Sequence, residues 1–410
     1  MIDIFKNSNF TKLFIGRIIT NIGDSLYVVA TMWLVYKIGN SSFYTGLAGF
    51  LVLLPQSLQF VAGPIIDKFS LRKILIITQV LQGMLVLIIP VAYIFGYLYI
   101  PLILTIMPIV SLLDQFGSPA EKATIPVILK KDQLVKGNSL FSFAYQGIEF
   151  SFNAIAGLLI ILVGGAILLF IDSITFALAT LLFASLSLKS VPQAKGQTQK
   201  QSIKKILKNY FTDIKYGFHF IFHSLILRIA VGSFVTNAIV CMMEAILPAY
   251  SSFRGGAGMY GAYLAATSGG MVLGAFIGTF FTKYPVGRLF IFSFFLGGMM
   301  WLLSVLTPWS LVSLILLGGA YIPIGITNVM LITVMQNLIP SHLLGRVFTA
   351  NASLVTAGMP LGSLIGGILG SFINANWVFL LTGCGFVFLS AYWFALPILR
   401  KLPQVDEITI

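Results

Sequence analysis

Long apolar runs alternate with short polar connections along almost the whole chain. Most runs extend for roughly 20 residues or slightly more, the length at which an α-helix crosses the hydrocarbon core of a bilayer. The pattern therefore predicts an all-α integral membrane protein with twelve transmembrane helices. The predicted spans lie at about 10–36, 43–66, 73–95, 99–118, 139–162, 167–188, 225–250, 259–282, 289–306, 310–334, 348–371 and 377–399.

Basic residues are distributed unevenly between the two sides of the predicted membrane. With the N-terminus inside the cell, the outer connections offer only Lys37 and Arg254. Because basic residues concentrate in cytoplasmic loops, this bias predicts that both termini are cytoplasmic. The inner connections and the C-terminus carry Lys68, Arg72, Lys73, Lys122, Lys130, Lys131, Lys136, Lys283, Arg288, Arg346, Arg400 and Lys401.

One long polar stretch interrupts the pattern between spans six and seven. It opens with a Gln/Lys-rich piece and becomes amphipathic from Ser202 to His223. We expect a tether between two helix bundles, or a helix that lies on the inner leaflet. The predicted organisation is a six-helix bundle over 1–188, a cytoplasmic linker over 189–223 and a second six-helix bundle over 224–410. The residues that give the linker its helical apolar spacing are Ile206, Tyr210, Ile214, Phe218 and Phe222.

The two halves share a faint repeat. The turn after span two, from Gly63 to Lys73, and the turn after span eight, from Gly278 to Arg288, have Gly, aromatic and basic residues at matching places, 215 residues apart. About that length separates the two halves of a duplicated twelve-helix chain. The repeat therefore predicts two pseudo-symmetric bundles.

Composition excludes several classes of protein. Hydrophobic residues make up 58% of the chain and charged residues 9%, against roughly 25% charged residues in soluble globular proteins. The net charge of +13 comes from basic residues that stand singly between apolar runs, so we expect no nucleic-acid partner. The two cysteines, Cys241 and Cys384, lie within apolar runs and predict no disulfide framework.

No motif for cofactor chemistry or hydrolysis is readable. The sequence has no G-x-x-x-x-G-K-[ST] loop and no nucleophile–base set that spacing would bring together. His219 and His223 stand four residues apart but have no third metal ligand nearby. We therefore expect no enzyme, no cofactor and no metal site, and any transport must be driven by an ion gradient or by none.

The turn after span two resembles that of the major facilitator superfamily. It matches the form G-x-x-x-D-[RK]-x-x-[RK]-[RK] at five positions. The resemblance implies two six-helix bundles that rock against each other, and a gating turn whose single acid is held by neighbouring cations. The matching residues are Gly63, Asp67, Lys68, Arg72 and Lys73.

Within that superfamily the chain resembles the branch of macrolide efflux proteins and enterobactin exporters, over nearly its whole length. The resemblance implies export of a lipophilic drug, or of a secreted siderophore or other metallophore. One place departs from the pattern, since Asn153 and Ala154 replace the Gly-Pro of helix five in proton-driven exporters. The segments that carry the resemblance are 17–24 (RIITNIGD), 118–139 (SPAEKATIPVILKKDQLVKGNS), 217–227 (GFHFIFHSLIL) and 340–348 with Pro360-Leu361-Gly362.

Acids inside apolar runs are the candidate proton carriers. An ionised carboxylate deep in a bilayer costs several kcal/mol unless it is paired, hydrated or protonated. Arg17 lies seven residues before Asp24, about 10 Å along the helix axis, so we expect no direct bond between them. Either Asp24 lines the central cavity and titrates or meets cargo, or Arg17 snorkels to the inner surface and Asp24 hydrogen-bonds a neighbouring helix. Asp172, near the outer end of span six, is expected to be structural. The candidate proton-coupling residues are Asp24, Glu149, Asp114 and Glu244.

Polar and aromatic side chains in the spans are candidates for contact with cargo. Buried amides need hydrogen-bond partners in hydrocarbon, which favours them over single aromatic residues. The candidate cargo-binding residues are Asn21, Tyr27, Gln56, Gln59, Tyr145, Gln146, Asn237 and Asn328.

Glycines recur every four residues in spans eight and eleven. That spacing places them on one face of each helix, where they predict close packing against a neighbouring helix. They are Gly270, Gly274 and Gly278 in span eight, beside Gly269, and Gly358, Gly362, Gly366 and Gly370 in span eleven.

Together these features predict a secondary active exporter of small amphipathic molecules in the inner (plasma) membrane of a bacterium. We expect a monomer that works by alternating access, with protons as the driving ion. Deep acids outnumber deep bases, which favours cationic or zwitterionic cargo. The alternatives are a lipid or glycolipid translocase, a proton-independent facilitator, and a receptor or scaffold that transports nothing.

The predicted orientation can be tested by surface labelling of intact cells. A tag inserted near Gln197, or a reporter fused after Ile410, should be inaccessible from outside, because the basic bias places both in the cytoplasm. A tag beside Arg254 is the matched control and should be labelled. Labelling near Gln197 without permeabilisation would reverse the orientation.

Overall fold

A computed structural model describes residues 2–57, 69–187, 215–281, 283–340 and 343–407. The chain divides into two compact units. The N-terminal unit comprises Met1–Ile38 and Leu51–Tyr210, and the C-terminal unit comprises Gly39–Phe50 and Phe211–Ile410. The predicted boundary at residue 189 lies outside the described residues, so the limits of the bundles and the linker stay a prediction.

Twelve helices lie at the positions of the twelve predicted spans. Over the described residues, ten of them are long and apolar enough to cross a bilayer, and the predicted all-α membrane fold is confirmed. The helices are α1 Ser8–Gly39, α2 Ser42–Ser57, α3 Leu71–Ile94, α4 Ile100–Ile128, α5 Leu134–Val163, α6 Gly165–Ala184, α7 Ile226–Ser252, α8 Ala257–Gly278, α9 Val286–Leu306, α10 Ser310–Leu338, α11 Leu344–Phe372 and α12 Ala375–Ala395.

The end of α4 corrects the sequence analysis. The predicted span stops at about 118, whereas the helix continues to Ile128. The predicted connection after this span contains Lys122, but the helix runs through Pro119, Glu121 and Lys122. Proline inside a helix removes one backbone hydrogen bond without ending it when the surrounding packing holds the next turn.

The linker is described only at its C-terminal end. Residues 215–222 are helical, as the amphipathic pattern predicts there. A Cβ on Gly217 would meet the backbone of Arg346 and the side chain of Ala350, so this short helix packs closely on the start of α11. The preceding residues of the predicted amphipathic helix lie outside the described part of the chain.

The N-terminal unit has an apolar core at one end of its helices. Phe10 and Leu13 of α1 and Phe183 of α6 are fully buried there, together with Leu75 of α3 and Ile125 of α4. Burial of side chains of this size contributes roughly 1.5–3 kcal/mol each. The core therefore holds α1, α3, α4 and α6 together, close to the polar residues that α1 and α4 carry further along.

Glycine rows hold the C-terminal unit together. On α11, a Cβ on Gly358, Gly362 or Gly366 would meet the backbone of α7. On α8, a Cβ on Gly270 or Gly274 would meet the backbone of α10. The predicted close packing of spans eight and eleven is thus confirmed, and only residues without a side chain permit these backbone contacts.

Replacing Gly362 with Ala should destabilise the C-terminal unit. The added methyl group would collide with the backbone of Ala238, and overpacking of this kind costs about 1–3 kcal/mol. Thermal unfolding of the purified protein in detergent measures the effect. Gly345→Ala is the matched control, because nothing lies within 4 Å of its new Cβ. Equal loss of stability in both variants would remove the packing argument.

Candidate functional site

A buried ion pair joins α1 and α4 in the N-terminal unit. Arg17 Nε lies 3.0 Å from Glu121 Oε2, and the two side chains are 13% and 10% exposed. Charged groups in an apolar bundle are stable when they are paired and hydrogen-bonded. The alternative in which Arg17 snorkels to the inner surface is therefore wrong, because Glu121 holds its guanidinium inside the unit.

Two further acids lie one heptad from this ion pair. Asp24 follows Arg17 by seven residues and Asp114 precedes Glu121 by seven, so each acid shares a helix face with one member of the pair. Odd and even spans run in opposite directions, so both acids lie about 10 Å from the pair in the same direction. We call these four residues the Arg17 cluster.

Electrostatic interactions connect the members of the Arg17 cluster. Arg17 attracts the carboxylates of Glu121, Asp114 and Asp24. Asp24 is repelled by the carboxylates of Asp114 and Glu121. Glu121 is buried, whereas Asp24 and Asp114 are both partly exposed. The cluster thus contains one ion pair and two acids whose side chains are partly exposed.

The side chains predicted on α5 lie beside this cluster. Tyr145 interacts electrostatically with Arg17, Asp24 and Asp114, and also with Glu149. Tyr145, Gln146 and Glu149 are exposed. The structure thus brings three of the predicted proton-coupling acids, Asp24, Asp114 and Glu149, to one region of the N-terminal unit, with Tyr145 among them.

Asn21 and Tyr27 are buried within the packing of α1. They are 5% and 6% exposed, and among the described residues Asn21 Oδ1 and Tyr27 Oη have no hydrogen-bond partner. Tyr27 interacts electrostatically with Asp24 and with Asp172 of α6. Asp172 is fully buried and accepts a hydrogen bond from Thr175 Oγ1 at 3.2 Å. These side chains form a second group of polar residues, connected electrostatically to the Arg17 cluster through Asp24.

The predicted residues of the C-terminal unit fall into two places. Asn237 and Asn328 line one cavity between α7, α9, α10, α11 and α12. Glu244 is exposed on α7 and interacts electrostatically with Cys241, Tyr260 and Tyr321. Glu244, the fourth predicted proton-coupling acid, therefore interacts with residues of the C-terminal unit.

The predicted gating turn is described only in part. Arg72 donates a hydrogen bond to the carbonyl oxygen of Ala184, and Lys73 is exposed. Gln56 is exposed near the described end of α2. The remaining predicted residues here lie outside the described residues, namely Gln59, Gly63, Asp67 and Lys68.

Sequence reasoning missed two residues. Glu121 was assigned to a connection, although its seven-residue spacing from Asp114 could have placed both on one face of a longer helix. Trp393 lines the same cavity as Asn237. No sequence signal distinguishes it from the other tryptophans, because aromatic residues in spans usually serve packing or the interface.

Comparison with known proteins identifies the family. The family model described as "Transmembrane secretion effector" matches residues 3–409. The chain belongs to this family, an efflux branch of the major facilitator superfamily. It is a multi-pass membrane transporter of small molecules and not an enzyme.

Relatives of this transporter extend over nearly its whole length. It is 26% identical to the multidrug efflux pump Tap of Mycolicibacterium fortuitum over an alignment of 400 residues. The alignment covers 94% of this chain and 95% of the relative. It is 22% identical to the MFS-type transporter YvqJ of Bacillus subtilis, over 89% of this chain and 86% of the relative.

Solved structures show the same fold. The nucleoside transporter NupG superimposes with a TM-score of 0.71 at 14% identity, over 94% of this chain and 98% of that one. A bacterial homologue of the human lysosomal transporter Spinster gives 0.64 at 12% identity, over 96% and 97% of the two chains.

Removal of the buried cation should destabilise the transporter. Arg17→Met leaves Glu121 buried without its partner, and breaking a buried ion pair in this way costs about 3–5 kcal/mol. The double variant Arg17→Met/Glu121→Gln should recover part of the loss, because the remaining side chains are neutral. Thermal unfolding of purified protein measures both.

Lys136→Gln is the control for this pair, because Lys136 is an exposed base on α5. It should unfold at the temperature of the unmodified protein. If the double variant were no more stable than Arg17→Met, the loss would come from packing of the arginine side chain rather than from an unpaired charge.

Proposed function

We propose that this transporter exports small amphipathic molecules in exchange for protons, which load and leave at the Arg17 cluster. The observation that carries the proposal is the geometry of two antiparallel helices. The Arg17–Glu121 pair lies at one height along the axes of α1 and α4. Asp24 and Asp114 lie seven residues away along these helices, at a second common height. Two acids that repel each other at one level favour a site where one of them holds a proton.

Charge balance within the cluster supports proton exchange. One guanidinium faces three carboxyl groups, and the nearest of these, Glu121, already forms the ion pair. Asp24 and Asp114 would then share an unfavourable negative charge whenever water is excluded. Binding a proton removes that repulsion, and hydration of the site allows the proton to leave.

Exposure separates the roles within the cluster. Glu121 is buried, whereas Asp24 and Asp114 are partly exposed, as is Arg17. A group that exchanges protons must reach water in at least one state of the cycle, and Asp24 and Asp114 meet that requirement. In an alternating-access cycle the same acids would meet the outer solution in one state and the cytoplasm in the other.

The proposed cargo is cationic or zwitterionic. The surplus of carboxyl groups in the cluster attracts positive charge, and Tyr145 adds an aromatic surface close to it. The resemblance to the multidrug efflux pump Tap supports several lipophilic drugs as cargo. A secreted metabolite such as a metallophore has the same amphipathic chemistry and is the other cargo that we propose.

Gradient-driven uptake into inside-out membrane vesicles tests the proposal. With an acidic lumen, vesicles that contain the unmodified protein should accumulate ethidium, a cationic dye, while the lumen becomes more alkaline. Asp24→Asn should lose most of this uptake, because an amide cannot release a proton. Glu149→Gln should weaken uptake less, because Glu149 interacts with the cluster through Tyr145.

Asp132→Asn is the matched control, since Asp132 is an exposed acid in the short helix Lys131–Gln133 before α5. It should take up ethidium at the normal rate. Normal uptake by Asp24→Asn, or uptake that survives collapse of the pH gradient, would exclude proton coupling at this cluster. A proton-independent facilitator would then describe the protein better.

A further inference from the structure

A short segment after α12 caps the start of α9 in the C-terminal unit. The segment comprises residues 399–405, and we call it the strap. Val286 N–H donates to the carbonyl oxygen of Pro403 at 3.0 Å, and Gly287 N–H donates to that of Leu402 at 3.3 Å. The first N–H groups of a helix have no acceptor within it, and the N-cap residue of α9 makes no side-chain hydrogen bond. The strap therefore supplies acceptors that the helix itself lacks.

The strap also contacts the end of α10 and is anchored by apolar side chains. Asn337 Nδ2, one residue before the end of α10, donates to the carbonyl oxygen of Val405 at 2.8 Å. Leu399, Leu402 and Val405 are all buried. These hydrogen bonds and buried side chains tie the start of α9 to the end of α10 through residues that follow α12.

The matching place in the N-terminal unit has a different contact. Arg72 and Ala184 each lie 215 residues before their counterparts, Gly287 and Leu399, which is the offset between the two repeats. The exposed side chain of Arg72 donates to the carbonyl oxygen of Ala184. A Cβ on Gly287 would instead collide with the carbonyl oxygen of Leu399, so backbone meets backbone there. An exposed side-chain hydrogen bond opens easily, whereas the backbone contact opens only if the strap detaches.

We infer that the strap keeps the start of α9 closed throughout the transport cycle, and that of the two repeated turns only the one at Arg72 opens. The inference rests on the proposed export function, because alternating access is what would open either turn. Detachment of the strap would expose Leu399, Leu402 and Val405 to water and leave the first N–H groups of α9 unpaired. Opening at Arg72 only exchanges a hydrogen bond of an exposed side chain for one to water.

Hydrogen–deuterium exchange of the full chain in lipid nanodiscs tests whether the strap holds α9. In the unmodified protein the N–H groups of Val286 and Gly287 should exchange slowly. Val405→Asp places a charge at a side chain that is 1% exposed, so the strap should detach. Exchange should then be about tenfold faster, as the loss of two neutral hydrogen bonds predicts. Glu407→Gln, at an exposed residue just beyond the strap, is the matched control and should leave exchange unchanged.

A second variant keeps the test informative if Val405→Asp disturbs the fold elsewhere. Asn337→Leu removes only the side-chain donor from α10 to the strap. It should also speed exchange at the start of α9, by a smaller factor. If exchange there stays slow in both variants, the strap does not hold α9 and the inference fails.

A reversible cross-link tests whether the strap stays in place while the protein transports. The pair Asn337→Cys/Gln404→Cys lets a cleavable bis-maleimide link the strap to α10. The pair Arg72→Cys/Ser185→Cys lets the same reagent link the start of α3 to the residue after α6. Both pairs are made in a background in which the native cysteines are alanine. In inside-out vesicles the predicted cytoplasmic side faces the reagent.

The two links should have opposite effects on gradient-driven ethidium uptake. The link at Asn337 and Gln404 should leave uptake unchanged, because the strap never detaches. The link at Arg72 and Ser185 should stop uptake, and cleavage should restore the rate that this variant had before linking. Uptake that is stopped by the first link, or unchanged by the second, would overturn the inference. If the unmodified protein takes up no ethidium, the export proposal fails by itself, whereas hydrogen exchange at α9 still decides whether the strap holds.

Discussion

The ion pair between Arg17 and Glu121 is the constraint on which the N-terminal unit depends. A charged group in an apolar bundle needs a counter-charge at bonding distance, and only one register of α1 and α4 gives 3.0 Å between these two atoms. A shift of one residue would move a side chain by about 1.5 Å along the axis and 100° around it. The pair therefore also fixes where Asp24 and Asp114 stand relative to each other.

Apolar helices pack differently in the two units. In the N-terminal unit, large side chains such as Phe10 and Phe183 form a core next to the Arg17 cluster. In the C-terminal unit, glycine rows bring α7 to α11 and α8 to α10 by backbone contact. Its cavity between α7 and α12 is lined by neutral groups. The charged residues of the Arg17 cluster and the neutral residues around the cavity thus lie in helices that are packed in different ways.

The sequence predicts those features that depend on local spacing. Span positions follow from the fixed thickness of a bilayer, and the contacts of Gly362 and Gly274 follow from a four-residue period. The Arg17–Glu121 pair depends on which helices are neighbours, which no local pattern contains, and Glu121 itself was mistaken for a loop residue. The N–H of Trp393 has no hydrogen-bond partner among the described residues, and no local pattern predicts this, because it depends on what α7 places opposite the ring. The role of the acids in transport remains a prediction.

Under the proposed mechanism, the position of Glu121 leaves Asp24 available for proton exchange. Arg17 and Asp24 share a face of α1 but stand about 10 Å apart along the helix axis, too far for a direct hydrogen bond. Because Glu121 occupies the guanidinium, Asp24 and Asp114 are left to be neutralised by a proton or by a cation from outside the protein. Under the proposed mechanism a cationic cargo and a proton then compete for the same carboxyl groups. Binding of one displaces the other, and this mutual exclusion is what an exchange cycle requires.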